Sequence, residues 1–153
     1  MHVVGLCRFS YPAQGGFQVE HDTTETRAQY LYAPARLEER FRHFEAISLP
    51  GIMAQTDGDF TFLILVGDDL PKPYATRLMD LVSGVPQIRV VARPPGINHR
   101  KVCQDVINAA RKDRPDSVCL QFRHDDDDAI SVHYVERFKA AFYKVEALMR
   151  DAR

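Results

Sequence analysis

Residues 60–66, Phe-Thr-Phe-Leu-Ile-Leu-Val, form an almost unbroken apolar run behind the turn signal Asp57-Gly58. A strand with one wet face alternates apolar and polar side chains, whereas a strand covered on both faces has no need to. The run therefore predicts a strand buried on both faces, so the rest of the chain must supply two covering layers. Residues 3–9, 88–92 and 118–122 are also short, apolar and β-prone, which gives four strands.

Helical patterns separate and follow these strands. From Pro34, the residues Leu37, Phe41, Phe44 and Ile47 recur at spacings of four, three and three, a single face. Glu38 stands four residues before Arg42 on the wet side, where the two can pair, and Pro50-Gly51 is expected to end the helix. A second helix, approached through Pro71 and Pro73, carries Leu78, Leu81 and Val82. Asn98 suits the N-cap of a third bearing Val102, Val106, Ile107 and Ala110. Ser131 suits the cap of a fourth whose face holds Val135, Phe138, Phe142, Val145 and Met149. Residues 17–32 show little periodicity, and the polar stretch 21–26 within them reads as an exposed loop.

Strands and helices thus alternate four times. Right-handed crossovers lay such strands in a mainly parallel sheet with helices on both faces, a Rossmann-like α/β fold expected to span residues 1–153 as one domain. In sheets of this kind ligands sit beyond the carboxyl ends of the strands. There the sequence places Arg8 and Ser10, then Asp68 and Asp69, then Arg93, and finally Arg123 with Asp125-Asp126-Asp127-Asp128. Asp68 and Asp69 can cap the next helix or contact a base.

Several function classes drop out. A net charge of -1 gives no general attraction to nucleic acid or anionic membrane. No apolar stretch reaches membrane-spanning length and the start lacks a signal-peptide pattern, so a cytoplasmic protein without a transmembrane segment is expected. Cys7, Cys103 and Cys119 are odd in number and scattered, as reduced core thiols would be. The chain contains no G-x-G-x-x-G opening a helix, no P-loop, no H-E-x-x-H and no nucleophile elbow.

What remains is the acidic run. Four adjacent carboxylates repel one another, and a divalent cation with hard-oxygen preference, Mg²⁺ or Mn²⁺, relieves that repulsion while bridging to a phosphate. The alternative is a solvated acidic turn ahead of a helix. The arginines on the same edge favour a metal and diphosphate site.

Beyond these readings, Arg8-Phe9-Ser10-Tyr11, Arg36-Leu37 with Arg40-Phe41 and Phe44-Glu45, Leu49-Pro50-Gly51, Gln55-Thr56-Asp57, 60–68, and Phe122-Arg123-His124 leading into Asp125–Ala129 resemble the rhamnosyltransferase family. More broadly the chain is similar to the nucleotide-sugar half of a GT-A glycosyltransferase. The resemblance implies a D-x-D pair, Asp125-x-Asp127, with Asp127 as metal ligand and Asp125 nearer the ribose. Asp126-x-Asp128 is the competing register, which would make Asp128 the ligand. It also implies Arg8 and Ser10 beside the nucleotide and Arg100, after Asn98-His99, reaching the diphosphate; His124 is left with a structural role. The implied partners are a nucleoside-diphosphate sugar, a rhamnosyl donor by resemblance only, and an unknown acceptor.

GT-A transferases continue well past the D-x-D helix, where the acceptor site is built, whereas this sequence runs only to Arg153. Three readings stay open: part of a longer transferase, a donor-binding module without catalysis, or a homo-oligomer that completes its site from a neighbour. A metal-dependent phosphoesterase is a further alternative.

Overall fold

The computed structural model describes residues 1–16, 19 and 21–151. Strands β1 (His2–Arg8), β2 (Phe60–Gly67), β3 (Ile88–Arg93) and β4 (Cys119–His124) pair in the order β3-β2-β1-β4, every pair parallel. The helices are α1 (Thr24–Leu31), α2 (Pro34–His43), α3 (Leu49–Met53), α4 (Lys72–Val82), α5 (His99–Arg111) and α6 (Tyr134–Asp151), with a π-helical turn at Phe44–Ser48. This is the expected Rossmann-like α/β arrangement, and the strand order shows where the chain changes direction. It steps outward from β1 through β2 to β3, then crosses back to place β4 on the other side of β1.

Side-chain alternation along the strands divides the core into two layers. On one face Val3 and Cys7 of β1 and Phe62, Ile64 and Val66 of β2 pack with Leu37 and Phe41 of α2, Leu78 of α4 and Val135 of α6. On the other, Val4, Leu6, Leu63 and Leu65 pack against Val102, Val106 and Ala110 of α5. Every residue of β2 is buried, as its unbroken apolar run requires. Phe9, just beyond β1, meets Phe41 and Phe44 edge-on at ring separations of 4.9 and 5.6 Å, which ties the strand end to α2. Among the described residues no helix is long and apolar enough to cross a membrane.

Several local expectations change. Residues 24–31, where no periodicity was evident and 24–26 read as loop, are helical: Thr23 caps them by accepting from the Thr26 amide, and the buried side chains are Arg27 and Leu31. An arginine on the inner face hides the amphipathic signal. The helix from Pro34 does not stop at Pro50-Gly51 but runs through the π turn into α3. Pro50 lacks an amide hydrogen and would collide with the carbonyl four residues back, so the helix widens by one residue there instead of ending. Glu38 pairs with Arg77 at 2.8 Å, not with Arg42. β4 extends to His124, two residues beyond the expected end. Ser131 closes a turn ahead of α6, its hydroxyl accepting from the His133 amide and its carbonyl from that of Tyr134. Val145 is 55% exposed, so the apolar face of α6 is buried only along its first turns, while the side chain of Met149 and residues 17, 18 and 20 lie outside the described residues. All three cysteines are free, but only Cys7 is fully buried.

Two predictions follow from these contacts. A Cβ on Gly51 would lie 2.6 Å from the Ile130 carbonyl oxygen, so Gly51→Ala should cost about 1–3 kcal/mol, read as a lower melting temperature. At the opposite edge of the sheet, a hydrogen bond from Arg114, with help from Lys139, pulls the Asp59 carboxyl down to about 2. An unfolded aspartate titrates near 3.9. The stability this pair supplies is therefore present above about pH 4 and lost as pH falls toward 2. Asp59→Asn should flatten that part of an acid-unfolding curve, at a cost of no more than about 1 kcal/mol at neutral pH because both partners are half exposed.

Candidate functional site at the carboxyl edge of the sheet

Because the crossovers leave β1 toward β2 on one side while β4 lies on the other, the loops after β1 and β4 diverge and a crevice opens between them. The structure has a cavity of about 460 Å³ at this place. The β1 end contributes Arg8 and Ser10, and α1 contributes Arg27 and Tyr30. Arg36 and Arg40 come from α2, and Arg123, Asp125, Asp126 and Asp127 from the end of β4.

The loop after β1 is held rigidly. Ser10 takes a left-handed conformation, φ 51°, which costs a non-glycine residue on the order of 1 kcal/mol, and its hydroxyl accepts from Arg36 at 3.4 Å. The Tyr11 hydroxyl donates to the Pro94 carbonyl at 2.6 Å, the Gly96 amide donates to the Pro12 carbonyl at 2.8 Å, and Gln14 bridges to Asn98. At Gly16, φ 76°, a Cβ would stand 2.6 Å from the His99 ring, so only glycine fits. These bonds fasten the loop to the entrance of α5. Arg8 donates through Nη1 to the Gly16 carbonyl at 3.0 Å and faces Nδ1 of His99 at 3.2 Å. That nitrogen must then accept, which leaves the imidazole neutral; burial, followed by the charge of Arg8, lowers its pKa.

Pairing on β4 decides where its last residues point. Leu6 is opposite Arg123 and Cys7 opposite His124. Arg123 therefore shares the α5 face with Leu6 and reaches the cavity, whereas His124 turns to the α2 face. There His124 is buried, with Nε2 at 2.8 Å from the Ser48 hydroxyl. Immediately afterwards the chain folds into a turn in which the Asp128 amide donates to the Asp125 carbonyl at 3.2 Å.

The four aspartates are consequently not equivalent. Asp126 is 6% exposed, and burial raises its pKa against the opposing charge of Arg40. Nη1 of Arg40 donates to Asp126 Oδ1 and to Asp127 Oδ2, both at 3.0 Å. Asp127 remains exposed on its other side, as does Asp125, and Asp128 lies outside the cavity lining. Gln55 supports the loop that follows, donating to the Gly51 and Ser131 carbonyls at 2.7 Å each and accepting from the Val135 amide at 3.0 Å.

Of the residues singled out from sequence, Arg8, Ser10, Asp125 and Asp127 converge on the cavity. Arg100 does not line it: its side chain is exposed in the first turn of α5, whose Arg100 and Lys101 amides are capped by the Asn98 side chain as expected. Asp68 and Asp69 neither line the cavity nor cap α4, which starts without a side-chain cap; Asp69 instead accepts from the Tyr32 hydroxyl at 2.6 Å. Arg123 was expected on this edge and lines the cavity, whereas Arg27, Tyr30, Arg36 and Arg40 carried no assigned role. Arg36 and Arg40 were detectable in principle, since their four-residue spacing places them on one side of α2 beside the buried Leu37 and Phe41.

The sequence matches the family profile described as "Putative rhamnosyl transferase" over residues 2–153. The chain belongs to this rhamnosyl transferase family. No curated protein and no solved structure matches it. In this rhamnosyl transferase family member the match covers both strands that form the cavity and the acidic turn after β4.

Among the described residues no three His, Cys, Asp or Glu side chains are grouped so as to hold a metal ion by themselves. Mg²⁺ and Mn²⁺ are commonly bound by one or two carboxylates together with substrate phosphate and water. Asp125 and Asp127, both exposed, fit that incomplete set, although Arg40 also holds one oxygen of Asp127, while Asp126 is buried against Arg40. The pairing is testable. Arg40→Ala leaves a buried carboxylate without its cation and should destabilise the fold by about 2–4 kcal/mol at pH 8. Without Arg40, Asp126 takes up a proton more readily, so the loss should shrink toward pH 5, and Asp126→Asn in the same chain should restore part of it. Urea unfolding at the two pH values measures both effects.

Proposed function

We propose that the cavity binds a nucleoside-diphosphate sugar and that the chain is the donor-binding part of a metal-dependent, GT-A-type glycosyltransferase, with a rhamnosyl group as the transferred sugar. The observation that carries this reading is the meeting of carboxylates and arginines at the crevice between β1 and β4, within a family described as rhamnosyl transferase. Arginines supply charge-assisted hydrogen bonds to phosphate oxygens, and carboxylates supply hard ligands for a cation shared with the same diphosphate.

Within this reading Asp125-x-Asp127 is the D-x-D pair. The burial of Asp126 against Arg40 and the outward position of Asp128 both support that register over Asp126-x-Asp128. When bound, Mn²⁺ or Mg²⁺ would stabilise negative charge developing on the leaving diphosphate. The protein's own contributions are positional. Asp125 and Asp127 hold the cation side of the donor, Arg8 fixes a positive charge at the end of β1, and Ser10 keeps Arg36 turned into the cavity.

Isothermal titration with ADP, GDP, UDP and TDP, with and without Mn²⁺, tests the reading. At least one nucleotide should bind, more tightly with Mn²⁺, and Asp127→Asn should abolish the Mn²⁺ increment while leaving the melting temperature within about 2 °C, since the residue is half exposed. Absence of any nucleotide binding by the wild-type chain sinks the proposal. Transfer or hydrolysis of a nucleotide sugar by the chain alone then separates an enzyme from a binding module, and turnover of a generic phosphate ester would instead indicate a phosphoesterase.

A further inference from the structure

The described cavity lining contains five arginines, Arg8, Arg27, Arg36, Arg40 and Arg123, against three aspartates, 125 to 127. Arg40 is occupied with Asp126 and Asp127. Two of those cations stand together. Arg123 is opposite Leu6 in the parallel register and Arg8 is two residues further along β1, about 7 Å, on the same face of the sheet. Arg8 is anchored through Nη1 to Gly16 and His99. Arg123 is exposed and makes no hydrogen bond or ion pair with another described residue. Burial, and next the nearby charge of Arg123, hold Arg8 below its ordinary pKa, which places the two guanidinium groups within mutual repulsion.

An anion between them removes that repulsion. The entrance of α5 points to the same edge, but its amides are already used: His99 donates to the Gln14 carbonyl at 2.9 Å, and Arg100 and Lys101 donate to the Asn98 side chain at 3.1 and 3.3 Å. A backbone cradle of the helix-terminus kind is therefore closed, and the charge must come from side chains.

We propose that Arg8 and Arg123 form a diphosphate clamp that holds the anion without a divalent cation, Arg8 as a fixed charge and Arg123 as the direct hydrogen-bond donor. The clamp rests on the nucleotide-sugar reading and refines it, because cation binding by Asp125 and Asp127 becomes an addition to donor binding and not its precondition.

Titration calorimetry with inorganic pyrophosphate in EDTA at low ionic strength is the test. The wild-type chain should bind it in EDTA, excess Mn²⁺ in place of EDTA should tighten that binding without being required for it, and added NaCl should weaken it steeply. Arg123→Gln should weaken binding about 10- to 100-fold, the range for a lost charge-assisted bond, and Arg123→Lys should recover most of it by restoring the charge. Circular dichroism melting of both variants checks that each is folded, and salt-independent wild-type affinity by itself overturns the clamp. Pyrophosphate binding only with Mn²⁺ overturns it while leaving the nucleotide-sugar reading standing. Unchanged affinity in Arg123→Gln also overturns it, since the anion then sits elsewhere in the cavity. Failure of both pyrophosphate and every nucleoside diphosphate to bind, with or without Mn²⁺, removes the clamp and the nucleotide-sugar reading together.

Discussion

A parallel strand cannot be joined to its neighbour by a tight turn, because the chain must first return to the starting edge of the sheet. In this protein that requirement is met three times, through α2, α4 and α5, and the third return crosses to the opposite side of β1. The reversal covers both faces of β1 and β2, which allows their apolar sequences, and it separates the loops leaving β1 and β4. A covered core and an open crevice are thus two outcomes of one topological step. The loop after β1 is fastened to the β3–α5 connection through Tyr11, Pro12 and Gln14, and the loop after β4 to α3 through Gln55 and Thr56, so both walls of the crevice rest on regular structure.

Electrostatics within the crevice follow from unequal burial. Four adjacent aspartates repel if all face water alike, but the turn after β4 sends Asp126 inward to Arg40, and the same guanidinium reaches Asp127. One cation thereby neutralises much of the charge that would otherwise destabilise the turn. The remaining carboxylates share the cavity with an arginine-rich wall. The buried Asp126–Arg40 pair and the left-handed Ser10 both carry an energetic cost, and both occur where the chain must hold charged groups in fixed directions.

The sheet was legible in the sequence because β2 cannot be both continuously apolar and half exposed. Asn98 was legible as a cap because short polar side chains next to a helical pattern have few other roles. α1 was hidden for the opposite reason: its inner face carries Arg27, which is buried by bonding the Ala13 carbonyl and not by apolar contact. Arg100 showed the limit of reasoning from order along the chain, since a residue in the first turn of α5 can share an edge with the site without lining it.

Layer architecture, the edge on which polar residues collect and the family to which the chain belongs can all be read along the chain, because hydrophobic period, turn residues and local motifs are properties of residues taken in order. Which of the four aspartates face the cavity, and which arginines meet them, follows from packing alone. Those choices depend on strand register, which turns Arg123 to one face and His124 to the other, and on the approach of α2, which brings Arg40 to Asp126 across 86 positions of sequence. No local pattern encodes that distance, since both groups would be equally content in water until the packing of Phe9 against Phe41 and Phe44 brings the helix to the strand end.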